Sequence, residues 1–185
     1  SRIHDFWIKN KSKVNKIEVG DNSEFGSLTI ESKSTMGDFL MAENSIAGWF
    51  KILENSQTGR FYFGQNSKAQ DIEIRNSITG RFDIRNETNI GRLYIGDKSK
   101  SSGIYIGENS FTRAIYIGDS SSTEEIEIRY NSRTGRVRIW GNSKTTHIYI
   151  AENSTTGNFE VESSIISALI IEDSKTGKVT IEKNS

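Results

Sequence analysis

Apolar and polar residues alternate over short stretches of this chain, and the alternation returns at a fixed interval. Pairs of aliphatic residues spaced two apart, such as Ile104 and Ile106 or Ile115 and Ile117, recur along the sequence. A polar or amphipathic residue stands between them, as Tyr105 does in the first pair. Because side chains two residues apart lie on the same face of a strand, each pair predicts a short β-strand with one buried face.

A hydroxyl residue marks every copy of this pattern. It is Thr at position 88 and Ser at positions 12, 23, 34, 45, 56, 67, 77, 99, 110, 121, 132, 143, 154, 164, 174 and 185. The spacing is 11 residues, with three intervals of 10. The unit reads S-x-T-G-x-I-x-I-x-x-N and is clearest in residues 56–66 and 132–142. The chain is therefore an array of about sixteen short repeats, predicted to form one domain over residues 1–185 or part of a longer array.

Strands, rather than helices, fit the interior of each unit. An 11-residue apolar period is also typical of right-handed helical coils, but the i, i+2 spacing is that of a strand. The position two after the hydroxyl holds an apolar residue or Thr, as at Val14, Phe25 and Thr134, and we expect it to face inward. Each unit is thus predicted to contain two short strands, separated by a Gly-x bend and closed by an x-x-Asn turn.

Units this short cannot bury an apolar face alone, so they must stack on each other. The predicted fold is all-β, a parallel β-solenoid with an Ile, Val and Phe core and ladders of Asn and Ser at the turns. We expect hydrogen bonds from amide to amide along the Asn ladder, which comprises Asn22, Asn44, Asn55, Asn66, Asn109, Asn131, Asn142 and Asn153.

The number of units per coil decides the length of the rod. One unit per coil predicts a rod of roughly 80 Å, and two units predict roughly 40 Å. From residue 124 onward the bend position alternates between glycine and another residue, beginning with Glu124, Gly135, Thr146 and Gly157. This alternation favours two units per coil, although Gly recurs without alternation earlier in the chain.

The repeated Asn-Ser-x-Thr-Gly-x-Ile-x-Ile pattern resembles the curlin repeats of bacterial curli fibres and is similar to the Asn-laddered β-solenoid of the fungal HET-s prion domain. The resemblance covers the whole chain in period and binary pattern. It implies a fold in which two strand-turn halves form one coil, and a functional amyloid fibre. Curlin coils carry inward Gln, whereas Gln here is confined to Gln57, Gln65 and Gln70 and the inward polar residues are Ser and Thr.

Composition excludes several classes of function. Lys and Arg number 24, as do Asp and Glu, so there is no basic surplus to attract nucleic acid or an anionic membrane. The chain has no Cys, which rules out disulfides and thiolate metal sites. Its apolar runs are too short to cross a bilayer. No nucleophile and base stand together in a catalytic pattern, so we predict neither an enzyme nor a cofactor.

Metal binding is also not favoured. His147 occupies a bend position where other units carry Arg or Lys, which indicates a solvated residue. Carboxylates near the turns, such as Asp21, Glu43 and Asp97, could stack into a cation-binding ribbon, but they lack the Gly-Gly-x-Gly-x-Asp pattern of calcium-binding solenoids.

An outward column of tyrosines is the strongest candidate for binding. Tyr94, Tyr105, Tyr116 and Tyr149 each occupy the middle of an I-x-I segment or its Leu variant. Regularly spaced rings could stack on sugars or lie on another surface, while Tyr also simply favours exposed strand positions.

The repeat is in phase near both ends, at Phe6–Ser12 and at Asn184–Ser185. We therefore expect either excision from a longer array or completion of each end by the next molecule. The leading functional prediction is a structural protein that assembles head to tail with itself into a fibre, outside the cell or at its surface. The alternative is an adhesin-like module that presents the tyrosines to a glycan or another surface.

Overall fold

The computed structural model describes residues 1–182, and its regular elements are all β-strands. Ser185, the last hydroxyl of the repeat, lies outside the described residues. The strands are β1 Arg2–Ile3, β2 Phe6–Ile8, β3 Lys13–Val19, β4 Glu24–Phe25, β5 Leu28–Ile30, β6 Thr35–Met41, β7 Ile46–Ala47, β8 Phe50–Ile52, β9 Gln57–Thr58, β10 Phe61–Phe63, β11 Lys68–Ala69, β12 Ile72–Arg75, β13 Ile78–Ile84, β14 Asn89–Gly96, β15 Lys100–Ile106, β16 Phe111–Ile117, β17 Ser122–Ile128, β18 Arg133–Ile139, β19 Lys144–Ile150, β20 Thr155–Glu162, β21 Ile165–Ile171, β22 Lys175–Thr176 and β23 Val179–Glu182.

Strand register confirms two repeats per coil. All pairs among the described strands are parallel, and Ile115 of β16 lies beside Val137 of β18, its equivalent two repeats later. The step is slightly smaller where shortened repeats intervene, as between Phe159 and Val179. The molecule is therefore a parallel β-solenoid of about eight turns. At one strand spacing per turn, its length is roughly 40 Å.

Alternate repeats form opposite walls of the coil. One wall, here called the first sheet, has fourteen strands within residues 1–182 and includes β14, β16, β18 and β20. The other, the second sheet, has nine described strands and includes β13, β15, β17, β19 and β21. Equivalent residues of consecutive repeats thus lie on different sheets, whereas equivalent residues two repeats apart are neighbours on the same sheet.

Aliphatic and aromatic ladders fill the space between the sheets. The predicted I-x-I positions are inward, and Ile115, Ile117 and Val137 have no exposed surface. The core changes along the rod: phenylalanines pack the N-terminal coils, with Phe39 and Phe50 at 4.8 Å between ring centroids in an edge-to-face contact. Later coils are filled mainly by Ile and Val.

Two kinds of buried hydroxyl column accompany this core. In the serine column, the backbone N–H of one coil donates to the hydroxyl of the next, as Ser99 does to Ser121 at 3.1 Å. The Thr column is inward, as predicted, and Thr112, Thr134 and Thr156 are all buried. These three Thr hydroxyls have no hydrogen-bond partner among residues 1–182.

The structure differs from the prediction at the bend inside each repeat. Several early repeats are divided into two strands, such as β4 and β5, but later ones form a single strand of seven or eight residues. The ladder resumes directly after the bend: Thr112 pairs with Thr134 and Ala114 with Arg136, while the bend residue Arg113 is omitted. Main-chain pairing on both sides therefore keeps the strand continuous.

Candidate functional site

The structure divides the predicted tyrosine column between the two sheets. Tyr94 and Tyr116 are neighbours on the first sheet. Tyr105 and Tyr149 lie on the second sheet, where Glu127 separates them. A single surface of four tyrosines is therefore not formed, because each coil contains two repeats and successive repeats occupy opposite walls.

On the first sheet, Tyr94 and Tyr116 join an aromatic cluster that the tyrosine pattern alone did not predict. The Trp140 ring lies 6.2 Å from the Tyr94 ring and 6.0 Å from the Tyr116 ring, and contacts the latter edge to face. Trp140 also covers the backbone of Gly118, where an added Cβ would overlap the indole ring. The missing side chain at this glycine therefore leaves room for the indole.

The Tyr94 ring is held in place from several directions. Its hydroxyl donates to Asp119 Oδ2 at 2.7 Å, and the guanidinium of Arg75 lies 4.9 Å from the ring centroid. Burial, followed by the hydrogen bond to the Asp119 carboxylate, raises the pKa of the Tyr94 phenol. The ring therefore remains a neutral donor and keeps one orientation.

A network of ion pairs lies beside this cluster. Asp71 Oδ2 accepts from Arg92 Nε at 2.8 Å and from Arg92 Nη2 at 2.6 Å, which is a two-pronged contact. Arg75 bridges Glu73, at 2.5 Å, and Asp97, at 3.0 Å. Each guanidinium therefore has a fixed position and a carboxylate partner.

The ion pairs and aromatic rings enclose a surface cavity of about 190 Å³. Its aromatic lining is Trp49, Tyr94 and Tyr116, and Asp71, Glu73, Arg75 and Arg92 complete the lining together with Ile72. This combination of flat apolar rings and fixed polar groups can bind a small ligand that has both an apolar face and hydroxyl groups.

Arginine side chains cover the tyrosines of the second sheet. Tyr105 is only 6% exposed, with the guanidinium groups of Arg81 and Arg85 at 5.2 and 4.2 Å from its ring centroid. Arg129 lies 4.3 Å from the Tyr149 ring, and the Tyr149 hydroxyl donates to Glu172 at 2.7 Å. These two rings are therefore packed under cations.

The eight predicted Asn ladder residues all adopt the left-handed backbone conformation. Their φ angles lie between 51° and 63°, and Asn tolerates this region better than most residues. They form a ladder through the main chain, as where Asn22 N–H donates to the carbonyl of Glu43 at 2.9 Å. The members are Asn22, Asn44, Asn55, Asn66, Asn109, Asn131, Asn142 and Asn153. Bonds between their side-chain amides remain a prediction.

Within residues 1–182, no three His, Cys, Asp or Glu side chains lie close enough together to hold a metal ion. His147 lies on the second sheet between Glu125 and Ala168. Among the described residues there is also no helix long and apolar enough to span a membrane.

Sequence reasoning missed Trp49, Trp140, Arg75 and Arg92 as parts of one site. The available signal was the two-repeat register, which stacks Trp49, Asp71 and Arg92 in one column and Tyr94 and Tyr116 in another.

No family model, curated protein or solved structure matches this chain.

Proposed function

We propose that this solenoid is a structural protein, a shaft segment that stacks head to tail with further copies of itself into a fibre. The observation that carries the proposal is the exposure of core positions on the first and last described coils. A coil of the same shape, placed in register, would bury them as each internal coil buries its neighbour.

Inward residues are exposed at both ends of the described column, because no further coil packs against them there. Ile181 is 64% exposed, although Val161, its equivalent one coil earlier, is 3% exposed. At the other end Phe6 is 40% exposed, whereas its neighbour Leu28 has no exposed surface. Complete burial of a fully exposed side chain of this size contributes about 1.5–3 kcal/mol. Ile181 and Phe6 are already partly covered, so each contributes a fraction of that amount, and apolar burial still favours stacking.

The strand edges provide the direction of assembly. β3 and β21 each have only one neighbour, β6 and β19 respectively, among the described strands of the second sheet. Their free main-chain groups can pair in parallel with another coil, which is the general mode of strand addition. Aligned backbone groups at both ends therefore favour continuation along the rod axis.

Charges on the sides of the rod oppose lateral association between rods. Arg138 lies beside Glu160 in the ladder, with Nε to Oε2 at 3.8 Å, and Arg138 Nη2 also contacts Glu162 at 3.1 Å. Faces of mixed charge discourage association between sheets. Growth through the ends is thereby favoured over bundling, and we assign such a shaft to the cell surface or the extracellular space on its architecture.

The test places a charge on the exposed end. Ile181→Lys introduces a cation at a core position of the last described coil, where stacking would bury it. Ile46→Lys is the matched control, because Ile46 is 52% exposed but lies on the side of the rod between Glu24 and Lys68. Negative-stain electron microscopy and sedimentation velocity would measure the assembly of purified protein.

Wild-type protein and Ile46→Lys are expected to form filaments the width of one rod, and Ile181→Lys to remain monomeric. Discrete wild-type monomers at high concentration would refute the proposal. So would unchanged filaments of Ile181→Lys, since a buried lysine in the stacking surface is incompatible with the proposed contact.

A further inference from the structure

The cavity on the first sheet has the features of a ligand site, and it is independent of the rod ends. Trp49, Asp71 and Arg92 lie in one column on successive coils, because the residues that follow them, Phe50, Ile72 and Leu93, pair in register. At one strand spacing per coil, the backbone distance from Trp49 to Arg92 is about 10 Å along the axis. The lining residues therefore form a groove along the rod, here called the trough.

The positive and negative side chains that line the trough balance each other. The lining contains two carboxylates, Asp71 and Glu73, and two guanidinium groups, Arg75 and Arg92. Arg92 is paired with Asp71, and Arg75 with Glu73 and Asp97. Because neither sign is in excess, an ionic ligand would have to displace an existing ion pair. A neutral ligand could instead accept from the guanidinium N–H groups and donate to the carboxylate oxygens.

The apolar part of the trough consists of flat aromatic rings. Trp49 is 39% exposed, and Tyr94 and Tyr116 line the trough with it. A pyranose ring has the matching chemistry, since one face consists of C–H groups that pack on an aromatic ring while its rim carries hydroxyls that form hydrogen bonds. The polar groups then fix the orientation of the sugar, as in other small-molecule sites.

The site is also preorganised. The Asp119 hydrogen bond and Arg75 restrain Tyr94, and Trp140 packs edge to face against Tyr116. Arg92 is held by two hydrogen bonds to one carboxylate oxygen. Side chains that are already ordered lose little conformational entropy on binding.

We propose that this trough binds one sugar unit of a neutral oligosaccharide. A cavity of about 190 Å³ is smaller than the roughly 300–1,000 Å³ typical of sites for drug-sized ligands. It accommodates a single ring, and the rest of the glycan extends along the flat face of the first sheet. The site replaces the predicted four-tyrosine column with a compact one that includes Tyr94 and Tyr116.

The experiment measures binding of a panel of neutral hexasaccharides, built from glucose, mannose, galactose or N-acetylglucosamine, by isothermal titration calorimetry. Tryptophan fluorescence is a second readout, since two of the three tryptophans, Trp49 and Trp140, lie at or beside the trough. Polygalacturonate is the acidic comparator. The variants are Trp49→Ala and Tyr116→Ser, with Tyr149→Ser on the second sheet as the matched control.

At least one neutral hexasaccharide is expected to bind, more tightly than the acidic polymer. Trp49→Ala and Tyr116→Ser should each weaken that binding at least tenfold while the circular dichroism stays unchanged, and Tyr149→Ser should have no effect. Failure of every neutral sugar to bind at 10 mM would refute the proposal, as would equal losses in all three variants. Repeating the titration with Ile181→Lys separates this result from assembly, because the trough lies several coils away from that residue.

Discussion

Two columns of buried hydroxyl groups run through the core, and substitution of one member of each should shift stability in opposite directions. Ser121 is 1% exposed, and its hydroxyl accepts the N–H of Ser99 at 3.1 Å. Thr134 is 2% exposed, and its hydroxyl has no hydrogen-bond partner in the described part of the chain. Ser121→Ala and Thr134→Val each remove one hydroxyl with little change of shape.

The magnitudes follow from the hydrogen bonds. Ser121→Ala removes one of the two acceptors of the buried Ser99 N–H, which also donates to the Gly96 carbonyl oxygen at 3.2 Å, so it should cost about 0.5–1.5 kcal/mol of unfolding free energy. Thr134→Val removes a buried hydroxyl that gains nothing from the fold, so it should stabilise the protein by about 1 kcal/mol. The neighbouring Thr112 and Thr156 provide two repetitions of the second experiment.

Urea unfolding followed by circular dichroism measures both effects as shifts of the midpoint. Only variants with an unchanged m-value should be compared, since repeat proteins can depart from two-state unfolding. The expected order of midpoints is Thr134→Val above wild type and Ser121→Ala below it. Destabilisation by Thr134→Val of the same size as that by Ser121→Ala would refute the reasoning, because it would show that the Thr hydroxyl is bonded.

Two further predictions concern close packing and pH. An added Cβ at Gly157 would overlap the Gly135 carbonyl oxygen, so Gly157→Ala should lower the thermal midpoint by several degrees. Gly20→Ala is the control: a Cβ at Gly20 would have no described atom within 4 Å, so this variant should leave the thermal midpoint unchanged or raise it. Burial and the adjacent Glu125 carboxyl raise the pKa of Glu127, so the ionisation of Glu127 opposes folding. Glu127→Gln should therefore stabilise the protein at pH 7, and this gain should disappear as the pH falls below the unfolded-state pKa of about 4.3. A difference in urea midpoint that does not depend on pH would contradict this assignment.

The repeat and its inward face could be predicted because each unit obeys the same steric rule. Ile115 and Val137 alternate with outward residues, and the structure buries both completely. Thr134 was predicted to be inward because apolar residues take its place in other units, and that prediction is confirmed. The turn Asn residues were predicted as a stack, but the left-handed backbone that favours Asn there became visible only in the structure.

The candidate site was harder to predict because the sequence repeats with every unit, whereas the stacked structure repeats with every coil of two units. Tyr105 and Tyr116 occupy the same position in consecutive repeats and look adjacent in an alignment of repeats, yet they lie on opposite sheets. Trp49 and Trp140 depart from the repeat consensus and each occurs once in its column. The residues that surround these two tryptophans are set by the two-repeat register together with side-chain packing. An alignment of the repeats contains neither of these two kinds of information.

Disulfide trapping tests the two-repeat coil most directly, because the chain has no cysteine of its own. Phe111 and Arg133 are in-register neighbours on the first sheet, and both are exposed. Their Cα atoms should therefore be about 4.8 Å apart, within the range of a disulfide. The double variant Phe111→Cys with Arg133→Cys is expected to form an intramolecular disulfide under mild oxidation. Phe111→Cys with Ser122→Cys, which places the cysteines on consecutive repeats and opposite sheets, is not. Cross-linking of the second pair and not the first would contradict the fold, since a coil of one repeat would place residue 111 beside residue 122.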